Sequence, residues 1–98
     1  NRQFVFDFCN DKLSGLQQDM APSLRNVTIV LNSYIAKHGQ PFKLNAQSSV
    51  TSIGDKNELA FYWRKGLDIL GVKYSETSPV EQLLLQYDTS NNCWPTPR

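Results

Sequence analysis

The 98-residue chain predicts an α+β domain, a mostly antiparallel sheet with one long helix packed on one face. Three observations carry that prediction. Phe4, Phe6 and Phe8 recur with a period of two, the pattern of a strand with one apolar face. Leu24, Val27, Leu31, Tyr34 and Ile35 recur at three-and-four spacing between Pro22 and Gly39, the pattern of an amphipathic helix with marked ends. Shorter apolar runs follow, separated by isolated glycines that read as ends and turns.

In chain order, residues 3–9 form the first strand, with Phe4, Phe6 and Phe8 on one face and Val5, Asp7 and Cys9 on the other. Residues 10–20 read mostly as loop. Asp11 would cap a short helical turn through Leu13 and Leu16, but Gly15 weakens it. Pro22 takes a first helical position and Gly39 stops the helix after Lys37 and His38, although the β-branched run Thr28-Ile29-Val30 lowers helix propensity. Phe42, Leu44 and Ala46 then alternate with Lys43 and Asn45 as a strand that fades into polar residues 47–52 and ends at a turn at Gly54-Asp55.

Residues 55–70 fit two elements. As a helix, Asp55 and Glu58 resemble a capping box, Leu59, Tyr62, Trp63, Leu67 and Leu70 form the stripe, and Gly71 terminates it. As a strand, Leu59, Phe61 and Trp63 alternate with Ala60, Tyr62 and Arg64. Gly66 costs either element about 1 kcal/mol. The helix is preferred and would add a second helix to the fold. Val72-Lys73-Tyr74 reads as a strand. Ser78-Pro79-Val80-Glu81 looks like a helix start, yet Leu83-Leu84-Leu85-Gln86-Tyr87 equally fits a buried strand. The strand is chosen, because a tether at Cys93 would return the tail to the Cys9 strand and lay a final strand beside it. Residues 91–98, with Pro95 and Pro97, read as irregular.

Length and composition make residues 1–98 a single domain of ordinary globular character, 40% hydrophobic and 11% aromatic. Ten basic and nine acidic residues leave a net charge of +1. The basic ones are scattered, so no stripe for nucleic acid is present. No apolar run approaches the roughly 20 residues of a membrane span. Since the chain opens at Asn1, any signal peptide or anchor is expected to have been removed.

Cys9 and Cys93 lie near opposite ends, outside any C-x-x-C pair, and predict a disulfide that ties the termini together. Closing a loop of about 85 residues is worth about 4–5 kcal/mol at most. An oxidising compartment follows, periplasmic or secreted. The alternative is two buried reduced thiols in a cytosolic protein.

His38 is the sole histidine, which rules out multi-histidine metal sites. In the last helical turn it can interact with exposed carbonyls, worth about 0.3–1 kcal/mol when protonated. Its sharper role is that of a pH sensor. No glycine-rich phosphate loop is present, and Asp55 with Glu58 are explained by a helix start, so neither catalysis nor a cofactor nor a metal is predicted. Asn26-Val27-Thr28 fits a glycosylation acceptor but falls inside the helix. Phe61-Tyr62-Trp63 with Arg64 and Lys65 could stack bases or bind a partner, and core packing is the preferred use. A sheet covered on one face leaves its edges for strand addition. With the Phe4–Phe8 strand held by the disulfide, the candidate edges are those of Phe42 and Leu44 and of Val72 and Tyr74, Tyr74 being either an anchor or a core residue.

Residues 34–39, Tyr34-Ile35-Ala36-Lys37-His38-Gly39, running on to Asn57-Glu58-Leu59-Ala60-Phe61-Tyr62, with a cysteine near the C-terminus, resemble the periplasmic sensor domains of ToxR-like membrane-anchored transcription regulators. The resemblance implies antiparallel strands after the helix, association with a small periplasmic partner, and a part in envelope signalling or virulence regulation. It favours the strand reading of residues 57–65. Cys9 on the first strand, and not on the helix, departs from that pattern. Phe6-Asp7-Phe8, the helix ending at Gly39, and residues 67–74 are similar to the small β-α-β domains on the periplasmic side of secretins and TonB-dependent receptors, although the loop after Cys9 is longer. Cysteines near both ends also resemble one-disulfide RNase-like secreted fungal effectors. The expectation is a non-enzymatic periplasmic sensory or protein-interaction domain, with a secretion-machine or receptor adaptor and a secreted host-directed effector as alternatives. Its partners would be another periplasmic or membrane-anchored protein and, in addition, a small hydrophobic ligand, with no nucleic acid and no membrane span.

Overall fold

The computed structural model describes residues 3–77 and 80–89. Their elements are β1 (Gln3–Cys9), β2 (Lys12–Met20), α1 (Leu24–His38), β3 (Lys43–Thr51), β4 (Gly54–Lys65), β5 (Asp68–Thr77) and β6 (Val80–Thr89). The six strands form one sheet in the order β1-β2-β6-β5-β4-β3, antiparallel throughout. The α+β expectation of one long helix with a mostly antiparallel sheet therefore stands.

Two expectations about elements are corrected. Residues 10–20 are not loop but a hairpin turn and a full strand. Asn10 and Asp11 both take positive φ, 52° and 65°, in a two-residue turn that sets Cys9 opposite Lys12. Asn and Asp tolerate this left-handed backbone best after glycine, and two such residues in succession match the twist of a hairpin. Between the pairs Asp7–Gly15 and Phe8–Leu13, Ser14 is an extra residue, and its buried hydroxyl donates to the Asp7 carbonyl at 3.1 Å. Residues 55–70 are not a second helix. They form β4, a turn, and the start of β5. Gly66, at φ 63°, opens a two-residue turn that sets Lys65 opposite Asp68, the glycine-first arrangement of tight hairpins.

Elsewhere the differences are in boundaries and neighbours. α1 begins after Ser23, whose side-chain oxygen accepts the Asn26 N–H at 3.0 Å, so Pro22 precedes the cap. Gly39 ends it at φ 82°, donating its N–H to the Ile35 carbonyl at 2.8 Å. Residues 47–51, polar apart from Val50, remain paired in β3, and the turn is Ser52-Ile53 in place of Gly54-Asp55. The Leu83–Tyr87 run is a strand, but β6 lies between β2 and β5 and not beside β1. The β1–β2 hairpin, read as loop in the sequence, interposes β2.

The core lies where α1 crosses the middle of the sheet: Val27 and Val30 pack with Trp63, Val72 and Leu83, flanked by Met20, Tyr34, Phe61, Leu70 and Leu85. The Trp63 Nε1–H donates to the Gly39 carbonyl at 2.7 Å and pins the helix end to β4. Trp63, 3% exposed, thus takes the core role preferred for the aromatic cluster. Cys9 is buried at the end of β1, and Cys93, the other half of the expected disulfide, lies outside the described residues. Among the described residues no helix is long and apolar enough to cross a membrane.

Candidate functional site: the sheet edges and the His38 cleft

A six-stranded open sheet has two outer strands, here β1 and β3. Leu44 lies on β3 and Phe42 just before it, where the Phe42 N–H donates to the Tyr62 carbonyl at 2.9 Å. Both side chains are at least half exposed, and the Arg64 guanidinium sits 5.0 Å from the centre of the Phe42 ring. Val72 and Tyr74 do not share this position. β5 pairs with β4 on one side and β6 on the other, so neither residue is on an edge. Val72 is 1% exposed in the core. Tyr74 is half-buried, with its hydroxyl hydrogen-bonded to the Glu81 carboxylate across to β6. That bond, more than burial, raises its pKa. The cause of the misplacement is β4: read as a helix, residues 55–65 would have left the side of β5 that they in fact cover.

β1 was expected to be the less available strand, yet among the described residues it pairs with β2 alone, and Phe4, Val5, Phe6 and Phe8 are each more than half exposed. Following the register across β2 and β6, Phe4 and Phe6 project on the helix-bearing face and Val5 on the opposite one. The Phe4 and Phe6 rings stack at 6.3 Å and 19°. Their alternation was legible in the sequence, but it says only that a strand has an apolar face, not that anything covers it.

His38 opens onto a cleft of about 370 Å³ between the end of α1 and the β4–β5 turn. Tyr34 and Lys37 from the helix, Lys65 and Asp68 from the two strands and Tyr87 from β6 also line it. The Tyr34 ring meets His38 edge-on at 5.7 Å and Trp63 at 5.2 Å, forming a chain of rings from the cleft to the core. Burial pushes the Tyr34 phenol above its ordinary value. Burial, and after it the Asp68 charge and hydrogen bond, do the same to Tyr87. Among the described residues no group of three or more His, Cys, Asp or Glu is gathered to hold a metal ion. The Asn26 side-chain amide, the acceptor in the glycosylation triplet, is donated to the Ala21 carbonyl at 2.7 Å.

Comparison of the chain with protein-family models, with curated proteins and with solved structures finds no match.

Proposed function

We propose that this chain is a non-enzymatic sensory and protein-interaction domain of a bacterial envelope signalling system, periplasmic or secreted, held by a Cys9–Cys93 disulfide. Its partner, another exported or membrane-anchored protein, adds a strand to the β3 edge. The observation that supports this most is the outer position of β3, with a backbone edge unpaired among the described residues and flanked by the exposed Phe42 and Leu44. Strand addition takes its affinity from the backbone and its selectivity from such side chains. The test is a photoreactive phenylalanine analogue in place of Leu44, introduced into the chain in the cells that produce it. An adduct with one exported or membrane-anchored protein, lost when the analogue is moved to exposed Ser49, is expected. Adducts with no protein, or with cytosolic proteins alone, would overturn the reading.

Sensing is assigned to the His38 cleft, where Lys37, Lys65 and Asp68 supply charge and Tyr34 relays ring position to Trp63. Protonation of His38 would then alter the Trp63 indole N–H, whose acceptor, Gly39, is the next residue in the chain. The Trp63 indole resonance should respond to acidification in the native protein and stay fixed in His38→Gln. An equal movement in both would remove His38 as the sensor.

A further inference from the structure

We propose that β1 is a self-association edge, at which two copies of this chain pair their β1 strands antiparallel about Val5 and join two six-stranded sheets into one. The proposal goes beyond the β3 reading and does not rest on it.

The first support is the chemistry of the edge. Soluble sheets blunt their outer strands with charge, proline or inward-pointing polar groups. β3 is polar over most of its length, with Lys43, Asn45, Gln47, Ser48 and Ser49, and keeps its exposed apolar side chains apart, at Leu44 and Val50. β1 does not. From Phe4 to Phe6 it carries no charge and no proline, and its apolar side chains are exposed on both faces. Exposed apolar surface concentrated on an unpaired edge marks a contact that isolated domains avoid.

The second support identifies the occupant. Phe4-Val5-Phe6 reads the same in both directions, so an antiparallel two-fold through Val5 sets Val5 opposite Val5 and Phe4 opposite Phe6 of the second copy. Asp7 then falls opposite Gln3, and no carboxylate meets another. On the helix-bearing face, the stacked Phe4 and Phe6 of one copy meet the same pair of the other, giving a four-ring cluster, and aromatic cross-strand pairs are among the most favourable in sheets. A strand complementary to itself needs no second protein, and a two-fold contact closes on itself, so the product is a dimer and not a fibre. The extra residue at Ser14, with the register shift between Asp7 and Phe8, bends the hairpin beyond Asp7 and limits the pairing to residues 3–7. So short an interface gives a reversible, concentration-dependent dimer.

Sedimentation velocity on the whole, oxidised chain, from low micromolar to near-millimolar concentration, tests this. The native chain should pass from monomer to dimer. Val5→Lys sets two ammonium groups opposite each other on the axis and should raise the dissociation constant by roughly tenfold or more. Val50→Lys, on the outer strand β3, should leave it unchanged. Should Val5→Lys lose the native circular dichroism, the native chain decides alone: isotope-filtered NOEs between labelled and unlabelled copies should connect Phe4 of one to Phe6 of the other. A monomer at every concentration, a dimer indifferent to Val5→Lys, one abolished by Val50→Lys, or filtered NOEs at β3 would overturn the proposal. A Leu44 adduct obtained beside a monomeric chain would sink β1 pairing and leave the β3 reading standing.

Discussion

Trp63 ties helix to sheet by burial, by the 2.7 Å hydrogen bond to Gly39 and by the edge contact with Tyr34. Trp63→Ala should cost about 3–5 kcal/mol, the range for a large aromatic removed from a core. Trp63→Phe keeps most of the packing but loses the donor, and the exposed Gly39 carbonyl can turn to water, so about 1–2 kcal/mol is expected. Denaturant midpoints measure both, and a near-neutral Trp63→Ala would contradict the central position of this ring. Tyr34 carries a pH dependence. Its phenol is raised above the ordinary 10.0 by burial, so it loses its proton later in the folded chain than in the unfolded one. Its contribution to stability is therefore intact below pH 10.0 and is lost as pH rises from there through the folded value. Melting temperature should fall over that alkaline window, and Tyr34→Phe should flatten the fall. If the variant declines as steeply as the parent, the buried phenol is not the group responsible.

Among elements, α1 was legible because its signals are local: the three-and-four stripe, Pro22 near the start, one residue ahead of the Ser23 cap, and Gly39 at the stop. β4 was not, because residues 55–70 carry a helical stripe while Leu59 to Arg64 within them also alternate as a strand. What selects the strand is cross-strand packing, which no local window contains. Tyr62 lies across Gly71 on β5 so closely that a Cβ there would sit 3.1 Å from its ring. Gly15 misled for a related reason. It looked like a flaw in a helical turn, but it is the strand position where a Cβ would meet the carboxylates of Asp88 and Asp7 at 3.1 and 3.2 Å and the Tyr87 carbonyl at 3.3 Å. Gly66, read as a cost to either element, is the device that turns β4 into β5. Gly66→Ala forces a Cβ into the left-handed region and should cost about 1–2 kcal/mol, while Gly66→Asn should cost less because its short polar side chain tolerates that region. Thermal unfolding of the two variants checks the order. Equal losses would mean that the positive φ is not what the turn requires.

Across the whole molecule, the sheet order leaves β1 at one end of the sheet, hydrogen-bonded among the described residues to β2. β3 continues directly into β4 and the meander to β6, whereas among the described residues β1 and β2 join the rest of the sheet through the β2–β6 pairing. The expectation that β6 lies beside β1 failed, yet the register keeps the proposed Cys9–Cys93 bond within reach. Asp7 and Asp88 occupy one row across β2, so β1 and β6 run in the same direction and end on the same side as Cys9. Two strand spacings separate them, about 10 Å. The stretch from Thr89 to Cys93 can span about 13 Å when extended. Such a bond would fasten the β1–β2 hairpin to the chain beyond β6, and its entropic worth of about 4–5 kcal/mol at most is comparable to the stability of a small domain. Reduction should therefore act first on the hairpin. Hydrogen exchange with and without dithiothreitol should show protection falling in residues 3–20 before it falls in β4 and β5, together with a lower melting temperature. Replacing both cysteines by serine should reproduce the pattern without reductant. Two free thiols in the denatured, non-reduced protein would disprove the bond. A uniform loss of protection would instead show that it stabilises the sheet as a whole and does not act as a clamp on β1.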